Sequence, residues 1–484
     1  MRCAALALAT LALALPVAAA GSARFAPNDP LAAKQWYLAP IHAFDFWTEL
    51  PTTLTPVRVA VVDSGLDVGH PEFAGRVVLT RSFVGGNVTD NEGHGTFVAG
   101  IIAASLDNGE GIAGIAFPAQ LLVAKVVRSD GTISPVAEAK AIRWAADNGA
   151  RVINLSLGGL HDPLDPKLDT YSPGEQDAIA YAYAKGAVVV AAVGNGDQAP
   201  KTPWPYASYP AALPHVIGVS ALALDGSVPA FSNRDAHYND ISAPGVGIVS
   251  TLPRALTAQR PTCLDQGYSV CGPSEFRSAD GTSYAAAQVS AAAALLIATR
   301  PAVSPNQVSW LLERSATDVS AGTGCAKCLL QRDPYSGWGE LDVTAALEAL
   351  AGPIPPRDRY EGNDDAGDRA FTLYGRSIDI KATLDFWDDQ IDVYRVRLKK
   401  GQTIAVSLRG PAGTDTNAAL WAPGTQKVEG LSLEVQSRRL TQSAHAGPTE
   451  HFLHRAPAGG WYYVEVKLTT DGSGPYTLHI SKSA

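Results

Sequence analysis

The 484-residue sequence has little cysteine, a single methionine and no surplus of positive charge. Its 38 Lys and Arg residues against 47 Asp and Glu give a formal net charge of −9, which leaves no basic footprint for a nucleic acid. No segment after residue 20 reaches the roughly 20 consecutive apolar residues of a membrane span. We therefore expect a soluble protein of about two or three domains that binds no nucleic acid.

The longest apolar run, Cys3 to Ala20, lies at the N-terminus. It follows an arginine, is interrupted by a proline and ends in small residues, which is typical of a secretory signal peptide cleaved near Ala20 or Ala23. The alternative is a membrane anchor, which the proline and the cleavage-type residues disfavour. We expect residues 1–23 to be removed and the mature chain to be secreted, extracellular or periplasmic, without a membrane anchor.

Four of the five cysteines remain after this cleavage, and they form two close pairs, Cys263 with Cys271 and Cys325 with Cys328. Four cysteines allow three pairings. Export favours disulfides over a four-thiolate zinc site, which two close pairs could also build. We expect each cysteine to be bonded to its near neighbour.

Strand and helix patterns alternate between residues 57 and 315. Short β-branched runs such as Arg58–Val62 are typical of strands that are buried on both faces. We predict strands at 58–62, 121–127, 152–155, 187–193 and 216–221, and helices at 94–105, 135–148, 175–185, 282–299 and 305–315. The alternation predicts an α/β domain over residues 24–352, with a mostly parallel sheet flanked by helices and an N-terminal arm lying over the core. Such sheets bind ligands beyond the carboxyl ends of their strands.

Four polar residues lie where this rule expects chemistry. Asp63 ends the first strand, His94 opens a helix, Asn195 follows a strand, and Ser283 lies on the first turn of an apolar helix. A serine there benefits from the unpaired N–H groups of the helix N-terminus. Each residue alone could be an ordinary turn or capping residue. In this order and with their flanking glycines, the four indicate a nucleophilic catalytic site.

These residues lie in motifs that resemble those of the subtilases, and most closely the secreted thermitase-like members. The resemblance runs from about residue 28 to residue 350. It is carried by Asp63-Ser64-Gly65, His94-Gly95-Thr96, Ser156-Leu157-Gly158-Gly159, Gly194-Asn195 and Gly281-Thr282-Ser283. It implies a subtilisin-like serine endopeptidase in which Ser283 is the nucleophile, His94 the base and Asp63 its orienting group. Asn195 would donate its amide to the oxyanion.

The resemblance also implies the two walls of a peptide-binding groove. They are Ser156, Leu157 and Gly158 on one side, and Ala192, Val193 and Gly194 on the other. The first wall would bind an extended peptide as an added strand. Small walls suit a large side chain, so we expect an aromatic residue or Leu before the scissile bond. The expected partners are polypeptide substrates of a monomeric enzyme that needs no catalytic cofactor.

Three residues depart from the usual family pattern. Ala287 stands where a proline is usual, Phe97 where a second histidine is common, and Tyr284 where methionine often follows the serine. None of these positions carries a proton-transfer group. Because Met1 is the one methionine and leaves with the signal peptide, we expect no inactivation by methionine oxidation.

Subtilases often hold a structural calcium ion between the N-terminal arm and a loop. The corresponding positions are Asp29, Glu72 and Asn108, the last within loop 105–112, and hard oxygen ligands of this kind suit Ca²⁺. Glu72 stands where Asp is usual, and the alternative is a polar loop without metal. The family also usually carries an inhibitory propeptide, for which residues 23–28 leave no room, so folding is expected to be unassisted or aided by calcium and a second domain.

The periodicity changes after a stiff, proline-rich linker at residues 353–359. Alternating patterns predict strands at 391–396, 402–408, 461–466 and 476–480, and hence a small all-β, antiparallel sandwich over residues 360–484. The segments Glu361-Gly362-Asn363-Asp364 and Asp392-Val393-Tyr394 resemble the bacterial pre-peptidase C-terminal domain, which accompanies secreted peptidases. We interpret its aspartates as solvated turn residues rather than calcium ligands.

The sequence thus predicts a secreted serine endopeptidase with broad specificity. A transpeptidase or a selective processing protease is the alternative among enzymes. A binding module on an inactive scaffold is disfavoured because Asp63, His94, Ser283 and Asn195 are all intact. An α/β-hydrolase esterase would order its triad Ser, Asp, His and would carry a Gly-x-Ser-x-Gly elbow, which does not fit this chain.

Overall fold

The computed structural model describes residues 24–483, except residues 52, 198, 260–274, 353–358, 361, 387–388, 429–432 and 471. The predicted signal peptide, most of the linker, and the predicted Cys263–Cys271 pair therefore lie outside the described residues.

Seven parallel strands form the central sheet in the order β2-β3-β1-β4-β5-β6-β7. The strands are β1 (Val57–Asp63), β2 (Val77–Ser82), β3 (Ala119–Lys125), β4 (Val152–Leu155), β5 (Val188–Ala192), β6 (Val216–Leu222) and β7 (Ile241–Pro244). Apart from the edge strand β2, these strands have buried Val-, Ile- and Ala-rich runs because helices cover both faces of the sheet. β1 lies between β3 and β4, so Asp63 is at the carboxyl edge near the middle of the sheet.

Helices pack on both faces of this sheet. The helices of the domain are α1 (His94–Ala103), α2 (Pro135–Asp147), α3 (Pro173–Ala184), α4 (Arg254–Gln259), α5 (Thr282–Thr299), α6 (Pro305–Arg314) and α7 (Val343–Leu350). α1 and α5 contribute to the core on one face, whereas α2 and α3 contribute to the core on the other. Among the described residues, α5 alone has the length and apolarity of a membrane-crossing helix, and 94% of it is buried inside the fold. Its run of alanines combines high helix propensity with small side chains that allow close packing.

The predicted α/β class and the ten predicted elements of this region are present, with ends that differ by a few residues. α3 begins at Pro173 because Ser172 caps it, accepting a hydrogen bond from Glu175 N. Two further strands of the sheet, β2 and β7, are not among the five predicted strands. β7 is too short for a recognisable pattern, and the edge strand β2 is largely exposed.

Two smaller features lie outside the central sheet. β8 (Ile248–Thr251) and β9 (Phe276–Ala279) form a two-stranded antiparallel sheet. The N-terminal arm forms 3-10 turns at Ala32–Lys34 and Trp36–Leu38, and the Tyr37 hydroxyl donates to Val249 O. The arm thus packs on the core, as predicted.

The C-terminal region contains a five-stranded and a four-stranded sheet, in the orders β10-β12-β17-β14-β15 and β11-β18-β13-β16. The elements are β10 (Phe371–Leu373), β11 (Ser377–Asp385), β12 (Ile391–Leu398), β13 (Thr403–Arg409), β14 (Thr416–Trp421), α8 (Leu433–Ser437), β15 (Arg439–Ser443), β16 (Thr449–Arg455), β17 (Gly460–Leu468) and β18 (Ser473–Ser483). The inward residues of both sheets form one apolar core. One pairing departs from the antiparallel prediction, because β10 runs parallel to β12.

A disulfide joins Cys325 and Cys328, whose Cα atoms are 5.3 Å apart. The prediction for this pair is confirmed. Sulfurs that are bonded to each other are not thiolate ligands, so this pair does not contribute to a zinc site.

Candidate active site

Four chain segments bring the predicted catalytic residues to one cleft of about 410 Å³ at the carboxyl edge of the sheet. Asp63 ends β1, His94 opens α1, Ser283 is the second residue of α5, and Asn195 follows β5. Ser156, Leu157, Gly158, Ala192 and Gly194 line the same cleft. These segments are spread over more than two hundred residues of the sequence, and the parallel sheet brings them together at one edge.

Asp63 and His94 are joined by a hydrogen bond of 2.8 Å between Oδ1 and Nδ1. Asp63 is buried, and its Oδ1 also accepts the Ser64 N–H at 2.7 Å. Because a carboxylate accepts at Nδ1, the neutral imidazole carries its proton there and presents Nε2 as the basic nitrogen. Burial lowers the pKa of His94, but the charges of Asp63, Asp90 and Glu92 outweigh it, and the pKa is raised above 6.5.

Asp90 organises the turn that carries His94, and sequence reasoning missed it. Its two carboxylate oxygens accept five hydrogen bonds, from Ser64 Oγ, from the N–H groups of residues 92, 93 and 96, and from Thr96 Oγ1. Ser64 Oγ in turn accepts the Gly95 N–H. A buried carboxylate thus replaces the missing cap of α1 and ties the helix start to the end of β1. An acidic residue four positions before His94 was the available signal.

Close approach at this junction requires glycine. A Cβ at Gly95 would lie 2.3 Å from the carbonyl oxygen of Gly65. The glycine therefore lets α1 begin against the end of β1, and this sets the distance between the His94 ring and Asp63.

Reciprocal hydrogen bonds with Ser156 hold Ser283, at the start of α5, against the end of β4. Ser283 Oγ donates to Ser156 O at 3.1 Å, and Ser156 Oγ donates to Ser283 O at 2.8 Å. Asn154 extends this buried network, since its Nδ2 donates to Ser156 Oγ and its Oδ1 accepts from Ser290 Oγ. The hydroxyl of Ser283 is thereby fixed at the positive N-terminus of an 18-residue helix.

The side-chain amide of Asn195 is oriented by the residue that precedes Ser283. Asn195 Oδ1 accepts hydrogen bonds from Thr282 N at 3.0 Å and from Thr282 Oγ1 at 2.8 Å. The oxygen of this amide is therefore held against the turn that carries Ser283, and Asn195 lines the same cleft.

The structure corrects one predicted wall residue. The Val193 side chain is fully buried in the core on the α2–α3 face, whereas Ala192 belongs to the opposite core and, with Gly194, lines the cleft. Successive residues of an extended segment point to opposite sides, so Val193 faces away from the cleft where its two neighbours face it.

Several cleft residues come from loops that carry no sequence motif. They are Glu92, Val127, Gly131, Ile133, Leu160, Asp197, Ala199, Ser208, Phe231 and Asn233. Their proximity is produced by tertiary folding, so only a three-dimensional structure reveals it.

The three predicted calcium residues lie together at the N-terminal arm, away from the cleft. Asp29 accepts the N–H groups of Asp107 and Asn108, and Glu72 Oε1 accepts the Ile112 N–H at 3.0 Å. The other oxygen of Glu72, Oε2, is buried without a hydrogen bond within the described residues. Burial, with the charge of Asp29 adding to it, raises the pKa of Glu72 to about 7.

This donor set fits a hard cation, which would relieve two buried carboxylates and the orphaned Oε2. Among the described residues there is no cluster of three or more His, Cys, Asp or Glu side chains placed to hold a metal. A cation at this position would therefore need oxygen from Asn108 and from backbone carbonyls beside the two carboxylates.

Comparison with known proteins identifies relatives over the α/β part of the chain. The sequence model of the subtilase family matches residues 55–329. Thermitase of Thermoactinomyces vulgaris is 34% identical over 304 residues, which cover 62% of this chain and 94% of the relative. Subtilisin DY of Bacillus licheniformis is 35% identical over 294 residues, covering 60% and 91%. The solved structure of sphericase superimposes with a TM-score of 0.52 at 30% identity, covering 64% of this chain and 99% of that protein.

Proposed function

We propose that Ser283, His94 and Asp63 hydrolyse peptide bonds through an acyl-enzyme. This follows from the family, because the chain belongs to the subtilases and is a serine endopeptidase. The observation that carries the proposal is the 2.8 Å bond between Asp63 and His94 in the cleft that also holds Ser283.

In this mechanism Ser283 Oγ attacks the scissile carbonyl carbon while His94 Nε2 takes the hydroxyl proton. Because Ser283 Oγ donates to Ser156 O before substrate binds, the hydroxyl must turn to His94 for the attack. The imidazolium then gives its proton to the leaving amine as the C–N bond breaks. A water molecule then attacks the acyl carbon while His94 Nε2 takes a proton from it. The bond between that carbon and Ser283 Oγ breaks, the acid product leaves, and His94 returns the proton to Ser283 Oγ. Asp63 stabilises the imidazolium throughout.

The negative charge of the tetrahedral intermediate would be stabilised by Asn195 Nδ2 and the Ser283 N–H. The hydrogen bonds from Thr282 fix the amide before the reaction, so no reorganisation is needed when charge develops. The N-terminus of α5 adds a favourable partial positive charge.

The groove supports broad endopeptidase activity with a large apolar residue before the cut. Ser156–Gly158 would pair with the extended substrate, and the small residues Ala192 and Gly194 leave space for an aromatic or Leu side chain. A peptide panel in which Lys or Glu is preferred directly before the cut would overturn this specificity.

We infer that Asp29, Glu72 and Asn108 hold a structural Ca²⁺ that has no part in catalysis. When bound, the ion supplies positive charge that holds the N-terminal arm against loop 105–112. The arm is already attached to this loop through Leu31 N and Gly111 O, so the site would lie at an existing contact.

We further infer that the mature chain is an exported monomer with no membrane anchor, and that residues 360–484 form a pre-peptidase-like C-terminal domain. The signal-type N-terminus supports export. The two sheets with one common core support a separate folding unit after the linker.

The proposed activity is tested by digesting casein with the purified protein and with Ser283→Ala, followed by mass spectrometry of the products and of the intact chain. We expect broad digestion by the wild type and none by the variant. Ligated rather than hydrolysed products would favour a transpeptidase, and a single cleavage would favour a selective processing protease. Digestion by Ser283→Ala at the wild-type rate would contradict the proposal.

A further inference from the structure

Every charged side chain that lines the active-site cleft within the described residues is a carboxylate. These side chains are Asp63, Glu92, Asp197 and Asp280. Asp63 holds His94, and Asp280 Oδ1 accepts the Gly247 N–H at 2.7 Å. Asp197 is exposed at the rim, whereas Glu92 is half-buried beside the catalytic histidine. Of the two carboxylates that these contacts leave for a ligand, Asp197 and Glu92, it is Glu92 whose charge is less screened by water.

Glu92 lies on the side of the groove opposite the pocket that is proposed for the residue before the cut. That pocket lies between residues 156–158 and residues 192 and 194. On the other side, Glu92 lies two positions before His94, and its Oε1 is directed to the loop at Gly131, where an added Cβ would lie 3.9 Å from it. Glu92, His94 and Gly131 thus form the opposite wall of the groove.

The alternation of side chains in an extended peptide assigns this wall to one substrate position. If the residue before the scissile bond enters the pocket at residues 156–158, the preceding residue points to the opposite side. Its side chain would lie along His94 with its end near Glu92. The absence of a side chain at Gly131 leaves room for a long substituent at this point.

The surroundings of Glu92 favour a cationic partner. Burial, together with the charges of Asp90 and Asp63, raises the pKa of Glu92. His94 and Lys125 act in the opposite direction, but the His94 ring is hydrogen-bonded to Asp63 and the Lys125 ammonium group donates to Thr89 O. Within the described part of the chain, no hydrogen-bond donor contacts the Glu92 carboxylate. An ammonium or guanidinium group from a substrate would supply the missing positive charge.

We propose that Glu92 makes the enzyme prefer Lys or Arg at the second residue before the scissile bond. This inference rests on the proposed endopeptidase function and adds a charge requirement to it. The preferred site is then a basic residue followed by a large apolar residue, with cleavage after the latter. Asp or Glu at the second position is disfavoured because it would meet Glu92.

The first test needs no variant and uses the casein digest. We expect Lys and Arg to be enriched, and Asp and Glu depleted, two residues before the observed cuts relative to all positions in casein. If the protein cuts casein without this enrichment, the inference is overturned while the endopeptidase function stands. If it cuts nothing, both the function and the inference that rests on it fail.

The second test assigns the preference to Glu92. Three chromogenic tetrapeptides that differ only at the second position, with Lys, Gln or Glu, are compared for kcat/KM. We expect Lys to exceed Gln about tenfold, in line with a charge-assisted hydrogen bond, and Glu92→Gln to bring the ratio close to one. Asp197→Asn is the matched control, since it removes a carboxylate of the same cleft from the rim, and it should keep the wild-type ratio.

The salt dependence gives a readout that a purely structural role of Glu92 would not move. The Lys-to-Gln ratio should fall as the salt concentration rises from about 0.01 M to about 1 M, over which the screening length falls from about 30 Å to about 3 Å. An equal loss of the ratio in Asp197→Asn, or a ratio that Glu92→Gln leaves unchanged, would contradict the assignment.

Discussion

Phe97 and Tyr284 pack against each other with their ring centroids 4.5 Å apart. Both residues depart from the usual family pattern, and the departures are in contact. Phe97 lies one turn after His94 on α1, and Tyr284 directly follows Ser283 on α5. The Tyr284 ring also lies 5.8 Å from the His94 ring. The pair therefore packs α1, which carries His94, against α5, which carries Ser283.

This contact predicts that Phe97→Ala damages both stability and activity. Removing a fully buried phenylalanine should lower the free energy of unfolding by about 3–5 kcal/mol, and the loosened Tyr284 ring should lower kcat in the fraction that remains folded. Ile142→Ala is the matched control, because Ile142 is equally buried in the other core. It should lower the melting temperature and leave kcat unchanged. Equal effects of the two variants on kcat would contradict a role for the aromatic pair.

Tyr284 also predicts resistance to peroxide. The sequence has one methionine, Met1, so no thioether lies beside the nucleophile. The wild type should keep its activity in mild peroxide, whereas Tyr284→Met should lose activity as the new side chain becomes a sulfoxide. Activity is measured over time, together with intact mass. Rapid inactivation of the wild type in mild peroxide would contradict this prediction.

The raised pKa of His94 predicts the acid limb of the pH profile. His94 must be neutral to accept the Ser283 proton, so kcat/KM should rise with pH through an apparent pKa above 6.5. Asp63, Asp90 and Glu92 are the charges that raise it. Replacing one of them by a neutral group should move the limb to lower pH, and Glu92→Gln is the mildest such change. A limb at or below pH 6.5 in the wild type would be inconsistent with the electrostatics of this site.

Calcium removal tests the arm site independently of catalysis. Chelation should lower the melting temperature, because a ligand bound at 100 times its Kd stabilises the folded state by about 2.7 kcal/mol. Glu72→Gln should abolish the difference between chelated and calcium-loaded protein. Asp225→Asn, which removes an exposed carboxylate elsewhere, should preserve it. The calcium proposal fails if chelation leaves the wild-type melting temperature unchanged.

Much of the α/β fold could be predicted because its signals are local. Runs such as Val59–Val62 identify buried strands by composition, and glycines beside Asp63, His94 and Ser283 mark the turns at the carboxyl edge. The shape of the sheet then brings those turns together without further information. That is why residues far apart in sequence could be assigned to one site.

The remaining features depend on contacts that no local pattern encodes. The hydrogen bond from Ser64 Oγ to Asp90 joins two segments that are separate in sequence, and so does the approach of the loop at Gly131 to Glu92. The error at Val193 is of another kind. The alternation of side chains along β5 and the residues after it predicts that Ala192 and Gly194 share a side and that Val193 does not. The family resemblance gave three consecutive wall residues, and the strand geometry allows two.

The most direct test of the central claim is to map the residue that a fluorophosphonate modifies. This reagent phosphonylates activated serine hydroxyls, with fluoride as the leaving group. We expect one adduct per chain on the peptide that contains Ser283, loss of proteolysis in proportion to labelling, and no adduct on Ser283→Ala. An adduct on another serine, or full proteolytic activity in a chain labelled at Ser283, would contradict the assignment of Ser283 as the nucleophile.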